Sequence, residues 1–550
     1  MTQRKSENPL WVLISGIGFV YGYWYTQDWF DPSNDWMLVP VLFGLFAAFQ
    51  ALRLCMLILR AIPQGIRYWF LFRARGEKGT AGFASKKAMK RARAFKAKGF
   101  YIGKAFNRGV FAALESTGLV LSPAGGGKTA KFVIPNLCFQ SMSMLVIDLK
   151  SVLAVITASY RNKYLKHKVI TVNPCHKYTS ILGAPARYNP LQLLIDDWNN
   201  PDWHSYVFPD ARSLARQLIP EPARGGENKF WRNGSRKFLV VAFIYLVAIK
   251  EDAELSKAYS LLCNTVELEN ILRICAASTI LSDDLASLAQ DLLTKIEDGD
   301  PKQVESFREG AVQALEDFAP STVFAQSTAT CDFRFYDLKR EKCTIYLMGD
   351  ATRAKASETW AGLLSWCAIT ELIRFGGGRE VCMMCDEVTN FYIDGLPELL
   401  TLAREYKIII WLIVQELAQW AYKYGNESLD TLLSQSEVKV FLGVRSHKAT
   451  QLISDMLGVM SIKTINHNLG SSFFDPVSRS LSENARAVLT ADEVRRFNEI
   501  ILFVREHRPM IVEAVGYHEI HPWRKQVAIN PLYGKKFLGK VKLWVSGKIR

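Results

Sequence analysis

The chain has 550 residues, 49% apolar and 22% charged, with a formal net charge of +15. That length and balance exclude a disordered or fibrous chain and leave room for more than one domain with a sizeable core. The positive charge points to an acidic partner, nucleic acid or anionic lipid, yet it is local: Arg60 to Arg108 holds 14 Lys or Arg residues against one acid, Glu77.

Two apolar runs come first. Leu10 to Gln27 carries no charge, and Met37 to Ile62 is interrupted only by Arg53 and, near its end, Arg60. Each is long enough to cross a hydrocarbon core of about 30 Å. Trp11, Trp24, Trp29 and Trp36 lie near the run ends, where an interfacial belt belongs. Bulky aromatics follow the first run, with no small-x-small site, so it reads as an anchor and not as a cleaved leader. The connecting loop, TQDWFDPSND, is acidic and both flanks are basic. The positive-inside rule then puts both termini and the main body in the cytoplasm, with a short hairpin outside. The basic stretch KKAMKRARAFKAKG suits lipid headgroups or nucleic acid, with lipid the default. Whether the rest of 60–108 contacts lipid or DNA stays open.

Next comes GLVLSPAGGGKTAKFVIPNL, residues 118–137. A short apolar run, a glycine-rich turn and a helix-compatible run are the context of a phosphate-binding loop, G-x-x-x-x-G-K-[ST], with Ser122 in the first glycine's place. Ser122, Pro123, Ala124, Gly125, Gly126, Gly127, Lys128 and Thr129 form the candidate cradle. Its glycines let successive N–H groups converge on phosphate oxygens. Lys128 would reach the β- and γ-phosphates, and the Thr129 hydroxyl would ligate Mg2+.

Further apolar strands support this. SMLVIDLKS ends one at Asp148, EVCMMCDEVTNF ends another at Asp386 and Glu387, and YKIIIWLIVQ ends a third at Gln415. An acid delivered beside phosphates is what a Walker B strand supplies: Asp386 would hold Mg2+, Glu387 would activate water, and Gln415 would sense the γ-phosphate. Buried strands separated by helical stretches predict a mainly parallel α/β sheet with its ligand at the carboxyl ends. Between them, roughly 202–327, apolar residues recur at three and four, which predicts an inserted all-α domain.

The ten cysteines show no disulfide framework; the CxxC of Cys382 and Cys385 lacks a second pair and reads as buried strand. His518 and His521, in YHEIHPW, sit beside Pro522 and read as a turn rather than a metal site.

In this order the segments resemble the type IV coupling proteins of conjugation and type IV secretion, the TraG/TraD-like membrane-anchored P-loop ATPases. The resemblance runs through GTAGFAS, the phosphate loop, SMLVIDLKS, TASYR, ARYNPL, NKFWRNGSRKFLVVAFIYL, STATCDFRFYDLKREKCTIYL, CDEVTNF, LLTLAREYKIIIWLIVQELAQWAYKYG and VKVFLGVRSHKATQLISDMLG. It departs at Ser151 and Val152, where the family commonly has Gly-Glu, and in having a basic tail in place of a long acidic extension.

The resemblance implies a RecA-like motor that assembles as a hexamer with ATP and Mg2+ at subunit interfaces. Arg404 matches the candidate arginine finger, with Arg445 the weaker one. Implied partners are a relaxase with single-stranded DNA, secreted protein effectors, membrane lipid, and the secretion channel with its inner-membrane components. The expected layout is a membrane hairpin at 1–62, nucleotide-binding parts at 63–201 and 328–550, and the all-α domain at 202–327. Two other readings share the motor fold: a docking receptor that binds ATP without doing work, and an FtsK/SpoIIIE-type DNA translocase.

Overall fold

The computed structural model describes residues 46, 48–53, 78–223, 228–249, 252–278, 283–297, 299, 301–468, 478–532 and 543–544. The expected membrane hairpin lies outside these, apart from helical residues 46 and 48–53. Among the described residues no helix is long and apolar enough to cross a membrane. The chain divides into two compact units, one uniting residues up to Ala81 with Gly458–Val488, the other Gly82–Leu457 with Leu489–Arg550.

The larger unit is built on a nine-stranded sheet. Its strands are β3 (Thr117–Leu121), β4 (Ser143–Asp148), β5 (Lys168–Val172), β6 (Cys343–Met348), β7 (Val381–Cys385), β8 (Ile408–Val414), β9 (Ser436–Leu442), β12 (Ile500–Val504) and β13 (Met510–Val512). A separate hairpin of β1 (Phe100–Ala105) and β2 (Arg108–Ala112) precedes them. The spatial order is β13-β12-β9-β3-β8-β7-β4-β6-β5. Pairing is parallel from β9 to β5 and antiparallel only at β12 and β13.

The central strands are unbroken apolar runs because both faces are covered. All seven residues of β8, IIIWLIV, are buried, and so are all five of β7, VCMMC. Cys382 and Cys385 sit three apart on β7, so they face opposite sides of the sheet and cannot share a metal. Trp411 of β8 makes edge contacts with Phe132, just after the phosphate loop, and with Phe100 of β1. A Cβ at Gly118 would lie 2.6 Å from the Trp411 ring, so β3 needs glycine there.

Between β5 and β6 the described elements are all helical, the longest being His204–Leu218, Lys229–Ile249, Asp283–Glu297 and Pro301–Leu315. Gly234 lets Phe307 press onto the Lys229–Ile249 helix, since a Cβ there would fall 2.3 Å from its ring. The helical part is tied to the sheet through Gln217. Its side-chain amide donates to the Tyr392 carbonyl at 2.9 Å and accepts from the Asp394 N–H at 2.8 Å.

In the smaller unit, β10 (Val459–Asn468) and β11 (Ser478–Ala487) pair antiparallel in register. Thr80 bridges to Met460 on its edge. Gly79 sits where any Cβ would meet the Val459 carbonyl oxygen at 2.4 Å.

Candidate active site at the carboxyl ends of the sheet

Four neighbouring strands, β3, β8, β7 and β4, end side by side, and each delivers a predicted residue. From β3 the chain enters the loop Ser122–Thr129. The Ser122 amide donates to the Val414 carbonyl at 3.0 Å, carrying the β3–β8 ladder into the loop. Gly125 and Gly127 adopt φ of 77° and 86°, the left-handed region that side chains resist. A Cβ at Gly126 would lie 2.3 Å from Ser122 Oγ, so the serine fills the space beneath a glycine that must stay bare. This answers for the missing first glycine: the loop keeps its curl, and the hydroxymethyl of Ser122 packs inside it.

The helix after the loop opens as a π turn, Thr129–Val133, before α-helical Ile134–Phe139. Pro135 lacks the N–H that an unbroken α ladder would need, which coincides with the wider turn. Thr129, half-buried, is the first residue of that turn.

Glu387 is the hub. Its side chain is 6% exposed, and Lys128 Nζ stands 3.6 Å from Oε1. Gln415 Nε2 donates to the same oxygen at 2.8 Å. Lys150 Nζ also bonds Oε1, in direct contact. The second oxygen, Oε2, receives only a long 3.4 Å approach from Asn390 Nδ2. Glu387 itself takes φ of 56°, a left-handed conformation unusual outside glycine and typical of constrained functional positions.

Asp386 is buried, and its Oδ1 has no hydrogen-bond partner. Burial pushes its carboxyl up to about 6, against the pull of Lys128 and with a further push from Glu387. A buried, unsatisfied carboxylate oxygen beside a phosphate-loop lysine is a place prepared for a cation. Asp148 differs. Both its oxygens accept backbone N–H groups, from Val152 and Ala154 at 3.1 Å each, so it caps the Leu153–Lys163 helix. Burial nevertheless raises it to about 7, opposed by those amides.

Sequence reading missed Lys150 and Asn390 as site residues. Lys150 had a signal, its position two residues past the end of β4; its partner depended on β4 lying beside β7. Ser151, next to it, adopts φ of 57° and its Oγ donates to the Gly349 carbonyl at 2.6 Å. Glycine would take that backbone conformation without strain.

The two arginines do not join this cluster. Arg404 lies just before β8, at the amino end of the sheet, about 20 Å of strand away. It is 65% exposed and pairs with Glu115, which Arg505 also approaches, at 3.4 Å. Arg445 is exposed just past β9, at the same end as the phosphate loop. His518 lies in a short 3-10 turn, Tyr517–Glu519, and among the described residues no group of His, Cys, Asp or Glu could hold a metal by protein ligands alone.

The family model described as type IV secretory system conjugative DNA transfer matches residues 72–537. The chain belongs to this family. Among individual relatives, VirD4 of Rhizobium radiobacter is 22% identical over 407 residues, 73% of this chain and 56% of VirD4. The match thus spans little more than half of VirD4's length. The conjugal transfer protein TraG of Escherichia coli is 24% identical over 477 residues, covering 80% of this chain and 71% of TraG. The plasmid coupling protein TrwB, solved with ADP and Mg2+, superposes with a TM-score of 0.53 at 15% identity, covering 79% of this chain and 93% of TrwB. The shared fold is that of the α/β P-loop ATPases.

Proposed function

We propose that the chain is a type IV coupling protein, an ATPase that receives relaxase-bound single-stranded DNA, secreted protein effectors, or both, and passes them to a secretion channel. The observation that carries this is the convergence of Lys128, Asp386, Glu387 and Gln415 at adjacent strand ends in a chain of the conjugative DNA transfer family. The residues fit a Mg2+-nucleotide. The bare loop Gly125–Gly127 and Lys128 would hold phosphates; Thr129 and the unpartnered Oδ1 of Asp386 would hold the metal. TrwB, of the same fold, binds ADP and Mg2+.

When bound, Mg2+ neutralises phosphate charge and the triphosphate supplies the driving free energy. Within the chain, Glu387 would take the proton of an attacking water through its less occupied Oε2, and Gln415 would hold the carboxylate's orientation. Arg404 cannot serve its own loop from the far end of the sheet, so its role as a finger requires a neighbouring copy. We therefore place it at a subunit interface of a hexamer, with Arg445 as the second candidate. The chain would be anchored by residues 1–62 in the bacterial inner membrane, with termini and ATPase body cytoplasmic. The nucleotide-binding parts would be 63–201 and 328–550, and the helical domain 202–327.

The test is ATP hydrolysis by the full chain in lipid nanodiscs, with and without single-stranded DNA, beside Lys128→Ala. Turnover that rises with DNA and disappears in Lys128→Ala supports the motor. Tight ATP binding with no turnover in confirmed oligomers would overturn it in favour of a docking receptor.

A further inference from the structure

We propose that Lys150 is a positioning residue that tells a nucleoside triphosphate from a diphosphate by exchanging Glu387 for the terminal phosphate. The inference rests on reading this end of the sheet as a nucleotide site.

Three observations carry it. First, Lys128 and Lys150 converge on one oxygen, Glu387 Oε1. Two ammonium groups so close repel each other and are held by the single carboxylate between them. A polyphosphate in the loop offers both a larger negative charge, and Lys128, at the base of the loop, is the first it would engage. Second, the base of Lys150 is fixed while its side chain reaches into solvent. Ser151 N–H donates to the Asp148 carbonyl at 3.0 Å, Ser151 Oγ to the Gly349 carbonyl at 2.6 Å, and the Asp148 carboxylate holds the next turn. The Lys150 side chain is nonetheless 55% exposed, against 6% for its partner. A four-carbon stem on a pinned backbone is long enough to exchange Glu387 for a phosphate in front of β4 and β7. Third, Glu387 in the resting geometry has Oε1 crowded by three donors. Departure of Lys150 leaves Oε1 with Lys128 and Gln415 alone and gives the carboxylate room to turn toward a water. The same movement therefore reports the third phosphate and frees the base that acts on it.

The experiment measures binding as well as turnover. Calorimetry on the full chain in nanodiscs, with Mg2+ present, compares ADP with the non-hydrolysable triphosphate ADPNP for the wild type, Lys150→Met, Lys150→Gln and Lys150→Arg. The wild type is expected to prefer the triphosphate. Lys150→Met and Lys150→Gln should each lose about tenfold of that preference, the worth of one charge-assisted hydrogen bond, while Lys150→Arg retains most of it. Equal preference in wild type and Lys150→Gln, with both folded by circular dichroism, overturns the inference and leaves the nucleotide site standing. Failure of the wild type to bind either nucleotide overturns the site reading itself, and the inference with it. Should Lys150→Met fail to fold, Lys150→Gln and Lys150→Arg decide the matter.

Discussion

Among the described residues two glutamates are buried, and they are built differently. Glu371, in the Ala354–Phe375 helix, has every acceptor filled by rigid donors. Tyr188 Oη and Arg334 Nε bond its Oε1 at 2.8 Å each, and the amides of Phe335 and Tyr336 bond Oε2 at 2.6 and 3.2 Å. Glu387 is held through one oxygen by two lysines and a glutamine, with the other nearly open, on a left-handed backbone. Burial raises the carboxyl of Glu371, but Arg334 and the amides oppose the rise. The first carboxylate locks the segment returning from the helical part onto the sheet. The second keeps a lone pair and movable partners, which is what a group needs if it is to take a proton. Saturation marks structure; incomplete saturation marks chemistry.

Substitutions should separate the two. Glu387→Gln is expected to lower turnover by about 10^3-fold while leaving nucleotide affinity within a factor of a few, as steady-state kinetics beside calorimetry would read. Retained turnover would mean that Glu387 is as structural as Glu371. Glu371→Ala should do the reverse: about 3 kcal/mol lost in denaturant unfolding, because two buried amides and the Tyr188 hydroxyl lose their acceptor and Arg334 keeps only Asp196, with turnover per folded molecule kept.

The pH response sharpens the contrast further. Asp386 rises from 3.8 to about 6 in the fold. Its carboxyl therefore favours folding most at low pH, and that contribution is lost as pH climbs through about 6 in the metal-free protein. Mg2+ needs the ionised form, so Mg2+-dependent nucleotide binding should weaken by up to about tenfold for each pH unit below 6. In Asp386→Asn that slope should vanish; an unchanged slope would assign it to another group. The smallest effect is expected at Arg404, whose exposed pair with Glu115 should contribute under about 0.5 kcal/mol. Arg404→Ala should thus melt like the wild type, and a loss of turnover confined to assembled oligomers would mark it as the finger.

Much of this was legible in the sequence because the signals are local. Unbroken apolar runs such as IIIWLIV fix a doubly covered strand, and SPAGGGKT fixes a tight turn after one. The helical stretch shows in its three-and-four periodicity, where Phe238, Val241 and Ala242 are all buried. The β10–β11 hairpin was not legible: SRSLSENARA is polar and its apolar residues barely alternate, so pairing, not pattern, makes it a strand. Lys150 was overlooked for a related reason. Nothing near it in sequence names Glu387 as its partner, since that depends on β4 lying beside β7.

By itself, then, the sequence determined which segments become strands and helices, where the phosphate loop lies and which acids end the strands, since these follow from residues within a turn or two of each other. Only the tertiary structure decided that Lys128, Lys150 and Gln415 share one carboxylate oxygen, that Asp386 is left with an unpaired one, that Asp148 is a helix cap and that Arg404 faces away from its own loop. Those outcomes depend on strand order and on burial, which bring charges from distant parts of the chain into a low-dielectric space where each contact sets the protonation and freedom of the next.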